Sequence, residues 1–547
     1  MFLARALMVY LAAVIGQAQA ASDLPSSDEL AQELAPYLAV PLPSIEKLTG
    51  FAMPDPAPLL VVASFGNDNA VPDLDRGFAV GYTLNELLFD ADPKLDVVPP
   101  WFYAEDTSKK GAPRGMVRDS TANAYRAAER DHARWCVHGR VGGASPTRVD
   151  LTVDGCARGE SSRSKQWKVR ADGDWPTALA EMCEYALANT AGDITDGAKA
   201  SCQRARNIRP ESLVAFARWA GPKENRAWKT LEAMYAADPT FAPIAVEYLF
   251  WLPYDKDNYD PKKQQEFWER VGAVEQASKP TSAMQLMCYA RWMSLAWNIK
   301  MVVHRNFFAW LKHNPRLSSA WVISASALSA GNTLDYAEPG YWRSIADYWT
   351  GLVGIKLERA TVPNEATHTA ALALSLAVYR AWPESYRSLW QMGYALEQYG
   401  WMIRGGNFWS DVPDIGQRGF PVMISWANEF NRATIERHPD LGVVWNNRMR
   451  TAKLDDDDWL PIFHQAVEVA PWRRQIYYDA MNYALDQWGG DHELREEIQA
   501  TAIAKHPNEE WPKTLVQWYE KNRNRRSGWL DKVWTFEPAV PLPPRVP

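Results

Sequence analysis

Six prolines, Pro239, Pro315, Pro383, Pro439, Pro471 and Pro507, punctuate the chain from about residue 210 onward, and their spacing limits what this half can fold into. A proline lacks the amide proton that a helix needs and crowds the preceding turn, so each marks a helix end. Pro315 and Pro383 stand 68 apart, Pro439 and Pro471 32 apart, and Pro471 and Pro507 36 apart. A recurrence of about 34 fits two short helices and their turns, repeated. Strand signals are absent here, so residues 210–530 are expected to form a mostly helical array.

The interval from Pro383 to Pro439 is 56, too long for one such pair. The stretch GWMIRGGNFWSDVPDIGQRGF, residues 400–420, supplies the excess, with several glycines, a proline and no helical period. Insertions in repeated helical units become loops on one face, often the binding face. The expected partner-binding residues are therefore Trp401, Arg404, Asn407, Phe408, Trp409, Asp411 and Asp414. With 27 tryptophans in 547 residues, aromatic side chains are the compositional outlier. Most are assigned to helix packing, and those of the expected loop to contact with a partner, because aromatics dominate contact surfaces.

The helical half resembles tetratricopeptide repeats in degenerate form. In that family the proline ends the second helix, and a large residue of the next first helix follows six places later. Those places hold Trp321, Leu389, Trp445 and Tyr477, and Gly393 matches the small residue four places further on. Pro239 and Pro507 depart from the rule, with Ala245 and Lys513. Other α-α solenoids fit the same spacing.

Ahead of the array the pattern differs. Six prolines fall between residues 36 and 58, and residues 21–57 are expected to be an extended lead-in. Then LLVVASF reads as a strand, RGFAVGYTLNELLFDA as a helix, KLDVVPP as a second strand, and STANAYRAAERDHA as a second helix capped by Ser120 or Thr121. RWCVHGRV and RVDLTVDG alternate around the turn GGASPT as a hairpin. This order predicts a small α/β domain over 58–205, and the chain as a whole is α+β. The domain resembles the amino-terminal domain of the TolB-like family, related to flagellar FlgO-type domains. LLVVASF, the helix with Gly81 and Glu86, LDVVPP, and the strand through Val137, Gly139 and Val141 carry the likeness. It implies a fold, not catalytic positions.

Residues 1–20, MFLARALMVYLAAVIGQAQA, combine Arg5, an apolar run and the exit Ala18-Gln19-Ala20, the layout of a secretory signal peptide cleaved before Ala21. The expected location is periplasmic or secreted. No apolar run is long enough to span a bilayer. Four of five cysteines fall within 67 residues, and an oxidising compartment favours disulfides. Cys183 with Cys202, and Cys136 with Cys156, is the expected pairing among three possible ones, with Cys288 a buried thiol. A net charge of -7 argues against nucleic acid.

Motifs for chemistry are missing. There is no H-E-x-x-H, no Cys/His array, no G-x-S-x-G elbow and no phosphate-binding loop, so no metal, cofactor or catalytic residue is expected. The run Asp455 to Asp458 lacks a calcium loop's spacing and is expected to cap the next helix. His313, His438 and His506 precede prolines at expected helix ends, where a helix dipole favours them. His138 is expected to be a solvent-facing strand residue. Lys521, Arg523, Arg525 and Arg526 read as a solvated face, and 531–547 as a proline-rich tail. The expected function is non-catalytic binding of a protein, peptide or envelope component. The alternative is a polysaccharide-active enzyme using carboxylates such as Glu384, Asp411, Asp414 and Glu429.

Overall fold

Ser26 and Glu29 form a capping box. The Ser26 hydroxyl accepts from the Glu29 N–H at 3.3 Å, and the Glu29 carboxylate accepts from the Ser26 N–H at 2.8 Å. They start α1 (Ser27–Leu34), which runs into a 3-10 turn and is followed by α2 (Ile45–Thr49). The computed structural model describes residues 24–39, 41–67, 75–91, 95–98, 125, 128–129, 131–143, 146–156, 162–170, 172–190, 194–221, 227–252, 261–277, 282–295, 307–314, 318–329, 364–405, 409–439, 441–484 and 490–517. The expected signal peptide, the Ser120 or Thr121 cap, Asn407, Phe408, the basic cluster from Lys521 and the tail lie outside them.

The chain divides into two units, Met53–Ile323 and Met1–Ala52 with Ser324–Pro547. The expected extended lead-in is therefore corrected, because its described part holds α1 and α2. Pro36 sits at the start of the 3-10 turn, where a missing N–H costs nothing. Leu30, Leu34 and Leu38 are buried with Leu372, Leu389 and Met423.

In the Met53–Ile323 unit, β1 (Leu59–Val62) and β2 (Gly66–Asn67) precede α3 (Arg76–Phe89). Then come β3 (Asp96–Val97), β4 (Trp135–Gly142), β5 (Thr147–Gly155) and β6 (Arg163–Val169). The sheet order is β3-β1-β4-β5-β6, with β2 beside β4. β1 runs parallel to β3 and β4, whereas β4, β5 and β6 are antiparallel. The reading missed β6, RSKQWKV. Its first four residues are exposed and only Trp167 and Val169 are buried, as a charged edge strand allows. Helix α3 is apolar almost all round and buried from Gly77 to Phe89. At Gly81 a Cβ would stand 2.9 Å from the Ala63 carbonyl oxygen, so helix and sheet meet backbone to backbone.

The helices that follow are α4 (Trp175–Thr190), α5 (Asp196–Gln203), α6 (Pro210–Ala220), α7 (Trp228–Ala237), α8 (Ala242–Trp251), α9 (Pro261–Ala277), α10 (Ser282–Leu295) and α11 (Ser318–Ser329). Cys183 of α4 and Cys202 of α5 are disulfide-bonded, with Cα atoms 5.5 Å apart. The same core takes in helices beyond the boundary expected at 205–210. Phe216 of α6 packs edge-on to Tyr82, and Ser318 donates its N–H to Asp96 at 3.1 Å.

The second unit continues with α12 (Asn364–Ala381), α13 (Tyr386–Arg404), α14 (Asp414–Arg437), α15 (Gly442–Leu454), α16 (Trp459–Val469), α17 (Arg474–Tyr483) and α18 (His492–Lys505). Helices α13, α15 and α17 each begin three residues after a proline, Pro383, Pro439 and Pro471. Leu389 and Tyr477 are fully buried, and Trp445 half-buried. The Trp445 indole N–H donates to the Pro439 carbonyl at 2.6 Å, and the Tyr477 hydroxyl to the Pro471 carbonyl at 3.0 Å. An aromatic six places past the proline thus fills the gap between helices and satisfies a carbonyl left over at the turn. Helix α15 touches both α13 and α17, so the first helices of successive pairs line one face.

The expected loop 400–420 is also corrected. Apart from a bend, its described part is the end of α13, a 3-10 turn at Trp409–Asp411 and the start of α14. The glycines read as breakers mark close helix contact. A Cβ on Gly416 would stand 2.4 Å from the Ile403 carbonyl oxygen and 2.7 Å from Val412 Cγ1, and one on Gly419 2.7 Å from Ile403 Cδ1. Asp458 does occupy the N-cap of α16, but its side chain makes no capping hydrogen bond. Its neighbours turn elsewhere, Asp457 to Arg448 at 2.9 Å and Asp455 to the Asn428 amide at 2.9 Å. His438 and His506 are the C-cap residues of α14 and α18.

Candidate functional site

Along α13 the side chains of Arg387, Trp390, Tyr394, Glu397, Trp401 and Arg404 recur at spacings of three and four, which places them on one stripe. A second stripe, through Leu389, Met392, Leu396, Tyr399 and Ile403, is fully buried in the core. The first is therefore a polar and aromatic face on a helix already anchored by its other side.

At its C-terminal end, three residues expected from the sequence come together. The Arg404 guanidinium lies over the rings of Trp401, Phe420 and Trp409, at 5.2, 5.5 and 5.9 Å from their centroids. Trp401 and Phe420 meet edge to face at 5.0 Å. Arg404 donates to the Gly405 carbonyl at 2.9 Å. Burial pulls its pKa down, and no carboxylate among the described residues offsets this. Among the described residues the exposed large apolar side chains are Tyr125, Trp409 and Ile503, and Trp409, at 48 %, is the most exposed. Asp411 accepts from the Ser410 hydroxyl at 3.1 Å, and Asp414 stands 3.6 Å from Arg418. Neither acid pairs with Arg404.

The middle of the stripe joins the three first helices. Arg450 of α15 donates through Nε to Glu397 Oε1 at 3.0 Å, and its Nη2 donates to the same oxygen. Its Nη1 lies 3.8 Å from Asp479 of α17, which also accepts from Asn446 at 2.9 Å and Gln475 at 2.6 Å. Burial drives the Glu397 pKa up, and the attraction of Arg450 only partly opposes it. Burial works against the charge of Arg450, but the two carboxylates more than compensate and hold its pKa up. The desolvation of these charges offsets much of their mutual attraction, so the network is weak evidence for stability.

In the Met53–Ile323 unit a second polar cluster lies on β4 and β5. His138 Nε2 is 2.5 Å from Asp154 Oδ2, and the Tyr125 hydroxyl donates to the same oxygen. Burial pushes the Asp154 carboxyl up, but hydrogen bonds from Ser162, Tyr125 and His138 outweigh it and hold the pKa below the usual value. His138 is therefore a half-buried hydrogen-bonding partner of Asp154 rather than a solvent-facing residue. Cys136 and Cys156 are not joined by a disulfide, which corrects the expected second bridge. Cys136 is registered opposite Asp154, which leaves Cys156 at the diagonal. Diagonal neighbours sit about 7–8 Å apart, beyond ordinary disulfide reach. Cys288 is a buried thiol.

Among the described residues no group of three His, Cys, Asp or Glu side chains is placed to hold a metal ion. Of the carboxylates named for the enzyme alternative, Glu384 pairs with Arg437 at 2.6 Å and Glu429 with Arg432. No described helix is long and apolar enough to cross a membrane. No protein-family model matches the chain, and no curated protein or solved structure matches it. Phe420, Tyr394, Glu397, Arg450 and Asp479 escaped the sequence reading. The three-and-four spacing on α13 is a signal that could have found Tyr394 and Glu397, whereas Phe420, Arg450 and Asp479, on other helices, carry none.

Proposed function

We propose that this chain is a non-catalytic binding scaffold, exported to the periplasm or secreted, whose helical array engages a protein or peptide partner or an envelope component. The observation that carries this reading is the half-exposed Trp409 beside the half-buried, carboxylate-free guanidinium of Arg404. Aromatic and arginine side chains grouped in this way are the usual anchors of protein interfaces. The disulfide and the leader-like residues 1–20 support export. Helices that start three residues after prolines, and contact between successive first helices, support the likeness to tetratricopeptide repeats. The strand, helix and hairpin order supports the TolB-like reading of the sheet.

Recovery from envelope extract with the full chain tests the proposal. Wild type should retain a partner that Trp409→Ala and the Trp401→Ala/Trp409→Ala pair lose, with unchanged circular dichroism. Equal recovery by all three proteins removes the assignment.

A further inference from the structure

We propose that Arg404 is the anchor for a carboxylate, presented by an acidic segment of a protein partner; the proposal rests on the binding reading above and names the chemistry of its ligand. A guanidinium carries five N–H groups in a planar fork. The hydrogen bond made by Arg404 is to the Gly405 carbonyl, and none of its nitrogens is among the buried polar atoms without a partner. Its remaining N–H groups therefore reach solvent while its planar face is held against three rings.

This fixes the orientation of the fork before a ligand arrives, which lowers the entropic cost of binding. The charge is also under-compensated, since burial opposes it and no described carboxylate answers it. A planar anion meeting that edge would form paired, charge-assisted hydrogen bonds, and an apolar neighbour on the same segment would cover the exposed Trp409 ring. The helix terminus gives Arg404 some compensation of its own, because cations are favoured at the C-terminal end of a helix. That role uses one N–H and leaves the outward edge without a partner among the described residues.

A glycan would ask for something different. Recognition of hydroxyls needs several free amides and carboxylates around the ring. Here the Gln417 amide donates inward to the Val412 carbonyl at 2.9 Å and the Trp409 carbonyl at 3.3 Å, and the Ser410 hydroxyl goes to Asp411. The site thus offers one cation and one exposed ring, which suits an acidic residue next to an apolar one in a peptide.

Fluorescence anisotropy with the full chain tests this, using a dye-labelled peptide of Glu and Leu, its Gln and Leu counterpart, and oligogalacturonate as an acidic glycan. The Glu peptide should bind wild type, weaken with added salt, and lose about tenfold or more in affinity with Arg404→Gln. Arg380→Gln, an exposed change elsewhere on the unit, should leave binding intact. Equal binding of the Glu and Gln peptides, or no loss with a folded Arg404→Gln, overturns the proposal. Should Arg404→Gln fail to fold, the peptide comparison and the salt series on wild type still decide it. Oligogalacturonate binding without Glu peptide binding also overturns it, in favour of a glycan. If a partner recovered from extract is lost with Trp409→Ala but the Glu peptide does not bind, the carboxylate fails and the binding reading stands. If neither is seen, both fail.

Discussion

His368 shows what one buried side chain does to this protein. It lies inside α12 with Nε2 lacking a hydrogen-bond partner among the described residues, and burial pulls its pKa from 6.5 down to about 4. A depressed folded value favours the neutral form. Its contribution is therefore present above about pH 6.5 and is lost as the pH falls toward 4, about 3 kcal/mol in all. Urea unfolding at pH 7 and at pH 4.5 should show His368→Gln losing less stability on acidification than wild type. An identical loss in both would mean that other groups set the acid limb. No proline follows His368 as one follows the helix-end histidines, yet its local sequence carries no signal of its burial. The residue scale was legible only where a side chain answers its own neighbours, as Trp445 and Tyr477 answer Pro439 and Pro471.

At the scale of elements, the stretch expected to be a loop forms a close helix contact between α13 and α14. Glycine signals both a break and a close approach, and only the partner helix tells them apart. Gly416→Ala would push a Cβ to 2.4 Å from the Ile403 carbonyl oxygen, an overpacking expected to cost about 1–3 kcal/mol. Gly272→Ala in α9 meets nothing within 4 Å and should be neutral or slightly stabilising. Thermal melts of the two variants check this, and a neutral Gly416→Ala would mean that α13 and α14 can part without cost. A different cause hid β6, whose first four residues, RSKQ, are exposed and carry no alternation of apolar residues. The acids at Asp455 to Asp458 sit where a cap belongs, yet Arg448 and Asn428 draw two of them away.

For the whole molecule, the Cys183–Cys202 bridge is the one covalent tie among the described cysteines. A closed loop of this length limits the unfolded chain by about 3 kcal/mol. Dithiothreitol, or the Cys183→Ala/Cys202→Ala pair, should lower the melting temperature of the Met53–Ile323 unit, and an unchanged melt would count against the bridge. Sequence alone determined the α+β class, the helix starts after Pro383, Pro439 and Pro471, the strands and helix from Leu59 to Val97, and the β4–β5 hairpin, and it offered the Cys183–Cys202 pair as one of three pairings. These depend on backbone preferences and periodicities that operate within about ten residues. Tertiary structure decided that residues 24–52 join the helices beyond Ser324, that Cys136 and Cys156 stay apart, and that Phe420 completes the ring around Arg404. Which faces bury each other depends on contacts between segments distant along the chain, and no local pattern encodes that choice.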